Sequence, residues 1–172
     1  MKTYIINPDN NEPVGIDEWR KENDPKRAQL LAIETEDGHL LVMSKSYLPG
    51  KHTFHEARKA CAEFKPIDGP TFRCPTRKEC IDIYDARFQG LEEAIKLTEG
   101  DFGNRGLSHW TGDRNVIPDY AAAVCIYYGG IDITTGEKCR NLYGVMGGFF
   151  VDFRLLALPV AIMEKPNDSS II

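Results

Sequence analysis

The side chains most able to do chemistry in this chain are five cysteines and four histidines. A cysteine thiolate can act as nucleophile, metal ligand or redox partner. Cys61, Cys74, Cys80, Cys125 and Cys139 contain no Cys-x-x-Cys pair, so neither a zinc knuckle nor a thioredoxin-type site is signalled. Their odd number leaves at least one thiol unpaired in a monomer. Cys61, Cys80 and Cys125 stand among apolar residues at core-like spacing and read as packing thiols. His52 and His55 lie three apart with Glu56 beside them, which hints at a metal. Spacing supplies no third ligand and no His-Glu-x-x-His string, so they read as a solvated pair at a helix start.

Glycine is concentrated after residue 100, and two glycine stretches invite comparison with phosphate loops. Gly144-Val145-Met146-Gly147-Gly148 runs into Phe149-Phe150-Val151-Asp152-Phe153, a strand-like segment. A phosphate loop needs a following helix whose amides point at the anion. Gly136-Glu137-Lys138 lacks both the Ser/Thr and the helix of a Walker loop. Both stretches read as turns between strands. No Ser/His/Asp or Cys/His arrangement is legible, so no catalytic residue, metal or cofactor is assigned. What remains is a set of polar and aromatic residues in or beside the loops of this half: Arg114, Asn115, Asp119, Tyr127, Tyr128, Asn141 and Tyr143. Aromatic residues with polar neighbours suit sugars and protein partners alike. Alternation of the tyrosines into the core is the competing reading, and both stay open.

The elements that must position these residues follow from pattern. Asp17 to Lys26 reads as a short helix stopped near Asp24-Pro25. Leu30–Thr35 and Leu40–Met43 flank Glu36-Asp37-Gly38-His39 and read as a hairpin. Thr53 with Glu56 forms a capping box, and Phe54, Ala57, Cys61 and Phe64 follow on one helical face. Thr76 with Glu79 repeats the device, with Cys80, Ile83 and Tyr84 at helical spacing. Gly90 is expected to break that helix, and Leu91–Leu97 to add a short third one. Ser108–Thr111, Ala121–Tyr128 and Phe149–Leu158 are the later strands. Helices followed by strands without βαβ alternation mean an α+β fold.

Composition bounds the rest. With 172 residues the chain suits one domain, and a domain this size buries roughly 70% of its unfolded surface without needing a staple. Lys plus Arg is 21 against 26 Asp plus Glu, a net charge of −5. A general polyanion binder shows a basic excess, so nucleic acid is not an expected partner. No run approaches the ~20 apolar residues of a membrane span. Met1 to Asp9 holds an apolar run of three, against the about 7–15 of a signal peptide. As written the chain is therefore expected in the cytoplasm, with all five thiols reduced.

The order of motifs resembles the Lcl C-terminal domain-like family, a bacterial and phage branch of the C-type-lectin-like fold. Thr53-Phe54-His55-Glu56-Ala57-Arg58-Lys59-Ala60-Cys61 is similar to its first helix. Phe72-Arg73-Cys74-Pro75-Thr76-Arg77-Lys78-Glu79-Cys80 is similar to its Trp-Arg-Leu-Pro-Thr…Glu-Leu string, with cysteine at both leucines. His109-Trp110-Thr111-Gly112 is similar to Tyr-Trp-Thr-Ser, and Ala121-Ala122-Ala123-Val124-Cys125 to the small residues of a following strand. Phe153 to Val160 is a loose match to the closing strand.

The resemblance implies two helices packed on antiparallel sheets. It covers residues 30–162 as the domain; residues 1–29, which have no counterpart in it, are expected as an N-terminal extension packed on the domain, and the polar Pro166–Ser170 stretch marks 163–172 as a flexible tail. Trp110 is then a core residue, and Phe149–Val160 shares a sheet with the Leu30–Met43 hairpin. Function is implied as recognition of a protein or glycan through residues 113–143, in an adhesin-like or phage-related setting at a particle or cell surface. The Glu-Pro-Asn calcium motif of such lectins is absent, and Asp113, Asp119 and Asp132 are the oxygens left for an alternative site. The competing function is a thiol enzyme of the formylglycine-generating type, working through Cys125 or Cys139.

Overall fold

The computed structural model describes residues 1–101, 108–114, 120–126, 130–131, 138–139, 143–150 and 152–166, with side chains at 1–101, 110–112, 123 and 152–166. The chain opens with strands β1 (Thr3–Ile6) and β2 (Pro13–Gly15), then helix α1 (Ile16–Trp19) and a 3-10 turn at Pro25–Arg27. The helix expected over Asp17–Lys26 is thus a single turn. The amides of Lys21 and Glu22 donate three residues back, to Glu18 and Trp19, which tightens the turn out of α-helical geometry. Buried Trp19 then donates its indole N–H to the Pro25 carbonyl (2.9 Å) and draws the chain back.

Strands β3 (Leu30–Glu34) and β4 (Leu40–Ser44) form the expected hairpin. Helices α2 (Phe54–Glu63) and α3 (Arg77–Ala86) each start on a complete capping box, headed by Thr53 and Thr76. A kink at Arg87–Leu91 leads into α4 (Glu92–Leu97), with Gln89 and Gly90 off helical geometry and Gly90 at φ +111°. The glycine-rich half supplies β5 (Ser108–Arg114), β6 (Tyr120–Ile126), β7 (Gly130–Ile131), β8 (Lys138–Cys139) and β9 (Tyr143–Phe150). The described chain closes with β10 (Val160–Met163). Met163 therefore ends a strand, Lys165 pairs with Glu34 (3.1 Å), and residues 167–172 of the expected tail lie outside the described residues.

Among the described residues three sheets result, antiparallel at every pairing: β10-β4-β3-β1-β2, β5-β6-β9 and β7-β8. Helices beside antiparallel sheets make the fold α+β. Residues 1–29 supply β1 and β2, so β3 is flanked on both sides.

One expected strand is corrected. Phe149 and Phe150 end β9 in the three-stranded sheet, whereas Val160 starts β10 beside β4. Between them, Asp152, Phe153 and Arg154 are exposed, and Pro159 has no amide to give a ladder. This stretch instead makes single bridges: Leu155 exchanges both backbone bonds with His52 (2.7 and 2.9 Å), and Val160 does so with Arg73 (2.8 and 2.9 Å).

Among the described residues the core falls into three clusters. One, holding Ile5, Trp19, Leu31, Ile33, Leu41 and Met43, packs a face of the large sheet against α3 and α4. Another covers the opposite face with Phe72, Phe64 and Ile67. The third gathers Phe54, Ala57, Cys61, Cys74, Trp110, Ala123 and Ala157, and joins α2 to the β5-β6-β9 sheet.

Candidate functional site

The β5-β6-β9 sheet is held to α2 through Trp110. Its side chain is fully buried and packs edge-on against Phe54, with ring centroids 5.7 Å apart. The indole N–H donates to the His52 carbonyl (2.7 Å), and the Trp110 amide donates to the Leu156 carbonyl (3.1 Å). The core role expected for Trp110 is therefore found, and a specific bond comes with it.

Two residues on, β5 bulges. Its register against β6 shifts between Trp110 and Arg114. Bulges re-aim groups that would otherwise join the ladder. Here the Gly112 amide donates to the Pro75 carbonyl (2.8 Å), just ahead of the α3 cap. A Cβ at this position would lie 3.2 Å from the Cys74 carbonyl oxygen, which favours glycine where the resembled family has serine.

These contacts fix where the candidate residues begin. Arg114 is the last residue of β5 and sits opposite Ala121 of β6. Tyr143 is the first residue of β9 and sits opposite Ile126, near the other end of β6. The two partners are five residues apart, which is roughly 17 Å along a strand. The backbone thus places Arg114 and Tyr143 toward opposite ends of the sheet. Asn115, Asp119, Tyr127, Tyr128 and Asn141 lie outside the described residues, as does Asp132. Cys125 lies in β6 opposite Ser108 and Gly144, and Cys139 in β8 opposite Gly130.

The histidines near the α2 start are also located. His52 holds a ring nitrogen 3.0 Å from the Pro49 carbonyl, and His55 is exposed with its ring against Phe54. Among the described residues, no group of three or more His, Cys, Asp or Glu side chains is placed to hold a metal ion.

Of the hollows on the described surface, one of about 470 Å³ lies beside the N-terminus, lined by Lys2, Glu34, Glu36, Asp85 and Gln89 among others. Two of its charged groups are engaged. The Met1 amine donates to Gln89 Oε1 (2.6 Å), and Glu34 accepts from Lys165 Nζ (3.1 Å) and Tyr4 Oη (3.2 Å). The Lys165 bond holds the Glu34 carboxyl below its ordinary range, while burial and then Glu34 itself push the Tyr4 hydroxyl up. This wall carries no nucleophile with a base beside it.

The arrangement that sequence reading missed is a thiol pair. Cys61, from the last turn of α2, and Cys74, just before the Pro75-Thr76 joint, bring their Sγ atoms to 3.6 Å. Cys61 and Cys80 were separately legible as core thiols, and both are buried. Nothing local marks Cys61 and Cys74 as neighbours, because the 13-residue separation spans an irregular stretch. No family model, no curated protein and no solved structure matches the chain.

Proposed function

We propose that this protein is a non-catalytic recognition module with a C-type-lectin-like architecture, of the Lcl C-terminal domain-like kind, whose ligand is a protein or a glycan. The observation that carries the reading is the convergence of three motif strings on one joint. The Thr53 string meets Trp110 through the His52 carbonyl and Phe54, and the Phe72–Cys80 string meets Gly112 through the Pro75 carbonyl. Motifs that are remote in sequence and weak one at a time thus serve one structural purpose. They tie a glycine-rich sheet onto a helical base. That division of labour suits a module in which the base is rigid and the loops beyond the sheet make the contacts.

The contact surface in this reading runs along the three-stranded sheet, from the Arg114 end to the Tyr143 end, and takes in Asn115, Asp119, Tyr127, Tyr128 and Asn141. Its length of roughly 17 Å between the two strand-anchored members suits an extended ligand, such as an oligosaccharide or a protein surface, better than a single small molecule. The adhesin-like or phage-related setting belongs to the same reading.

The test is a pair of substitutions, Tyr128→Ala and Tyr143→Ala, applied to the full chain on glycan and protein arrays. Binding by the unaltered chain should be lost or weakened at least tenfold in each variant, with thermal stability unchanged. Variants that unfold would assign the tyrosines to the core and remove them from the contact surface. Unaltered binding by folded variants would move the site elsewhere.

A further inference from the structure

We propose that Cys61 and Cys74 form a hydroperoxide-responsive thiol pair that closes into a disulfide and staples the end of α2 to the joint leading into α3. The two Sγ atoms stand 3.6 Å apart, and a disulfide needs about 2.05 Å. Closure requires the two sulfurs to approach by about 1.5 Å. Both residues are held by fixed backbone. Cys61 lies in α2, anchored by the Thr53 capping box. Cys74 lies between the Arg73–Val160 bridge and the Thr76 cap.

The pair is asymmetric. The two thiols share one S–H···S contact, and Arg58 and Arg73 add positive potential at Cys74. The contact with Cys61, then the two arginines, hold the Cys74 pKa down, and the contact with Cys74, together with burial, raises that of Cys61. With the positive potential of Arg58 and Arg73 on its side, Cys74 is the attacking sulfur and Cys61 the resolving one. The oxidant is a small hydroperoxide. The Cys74 thiolate attacks one peroxide oxygen, the O–O bond breaks, and the departing hydroxide takes up a proton to leave as water. The resulting Cys74 sulfenic acid is attacked by Cys61 sulfur. The S–O bond breaks, the S–S bond forms, and the Cys61 proton leaves with the hydroxyl as a second water. Two thiols and one hydrogen peroxide thus give one disulfide and two waters.

Burial sets the selectivity. Cys61 is 0% and Cys74 2% exposed, inside the cluster with Phe54, Trp110 and Ala157. Hydrogen peroxide is small enough to enter by local fluctuation, whereas a glutathione-sized disulfide requires the cluster to open. Closure would link residues separated by 13 positions and restrain the unfolded chain accordingly.

The experiment treats the native full chain with hydrogen peroxide, blocks remaining thiols under denaturing conditions, and maps peptides without reduction. The expected result is a fall from five free thiols to three, a cross-linked peptide joining Cys61 to Cys74, and reversal by dithiothreitol. The melting temperature should rise by roughly 5–10 °C. Oxidised glutathione at equal concentration should react at least tenfold more slowly. Survival of both thiols while others are consumed, or a cross-link to a different cysteine, overturns the proposal. So does faster reaction with glutathione. The peptide map needs only the unaltered chain, and Cys61→Ala adds a check: Cys74 should then proceed to sulfinic acid, with no disulfide.

Discussion

Glu79 shows how one side chain serves two neighbours. Its carboxylate accepts two hydrogen bonds from Arg73 (2.6 and 2.7 Å) and one from the Thr76 amide (2.7 Å). Burial alone raises its pKa. The Arg73 bonds and the Thr76 amide more than offset that, so the carboxyl is held below its ordinary value. A carboxylate depressed in the folded state stabilises the protein above its unfolded pKa, and that stability is lost as pH falls through the folded pKa. Glu79→Gln keeps the capping oxygen but removes the charge. It should cost about 1 kcal/mol at neutral pH, a value tempered by the 44% exposure of the Arg73 side chain. The cost should shrink as pH falls below about 4 and vanish once the native carboxyl is protonated. Denaturant titrations of both proteins at several pH values measure this. A cost that does not change with pH would mean the side chain acts by shape alone.

At the scale of elements, the ends of helices carry the clearest local logic. α4 ends in a pair of reverse bonds: the Gly100 amide donates to the Ile95 carbonyl (2.8 Å) and the Glu99 amide to the Lys96 carbonyl (3.2 Å). This is the Schellman arrangement, in which the left-handed residue is usually glycine. Here Glu99 takes that place, at φ +54°. Its ion pair with Lys26 (2.5 Å) is exposed and offsets little of the strain. Glu99→Gly should therefore stabilise the protein by about 0.5–1 kcal/mol, seen as a higher denaturant midpoint with an unchanged slope. A fall in the midpoint would show that the Lys26 pair outweighs the backbone term. Elements of this kind were legible because their signals are local. Thr53 with Glu56, Thr76 with Glu79, Gly90 and the Asp37-Gly38 turn each act within a few residues. The break across 152–159 was not, because Leu155 and Val160 are claimed by His52 and Arg73, about a hundred positions upstream. The meeting of Cys61 with Cys74 was hidden for a similar reason. Of the candidate contact set, sequence supplied the residue types, and only the strand register sets Arg114 and Tyr143 toward opposite ends of a sheet.

For the whole molecule, the question is whether the large-sheet core and the Trp110 core unfold together. Residues 155–160 argue that they do. Ala157 belongs to the Trp110 cluster, and its chain neighbour Leu158 belongs to the large-sheet cluster. Along the same stretch, Leu155 bonds His52, the Leu156 carbonyl accepts from Trp110, the Ala157 carbonyl accepts from Leu48, and Val160 pairs with both Arg73 and Met43. Losing either core would strip this segment of half its partners and expose apolar surface in the other. The two tryptophans of the chain report on the two cores separately, since Trp19 lies in the first and Trp110 in the second. Trp19→Phe leaves fluorescence from the Trp110 core, and Trp110→Phe leaves it from the Trp19 core. Each change removes a hydrogen-bond donor and should lower stability by about 1–2 kcal/mol, so comparison is made within each variant and not between them. In each, the fluorescence transition in denaturant should coincide with the far-ultraviolet circular dichroism transition, as one cooperative unit requires. Separated transitions, with the Trp110 signal lost first, would instead make the glycine-rich half a less stable unit resting on an independently folded base.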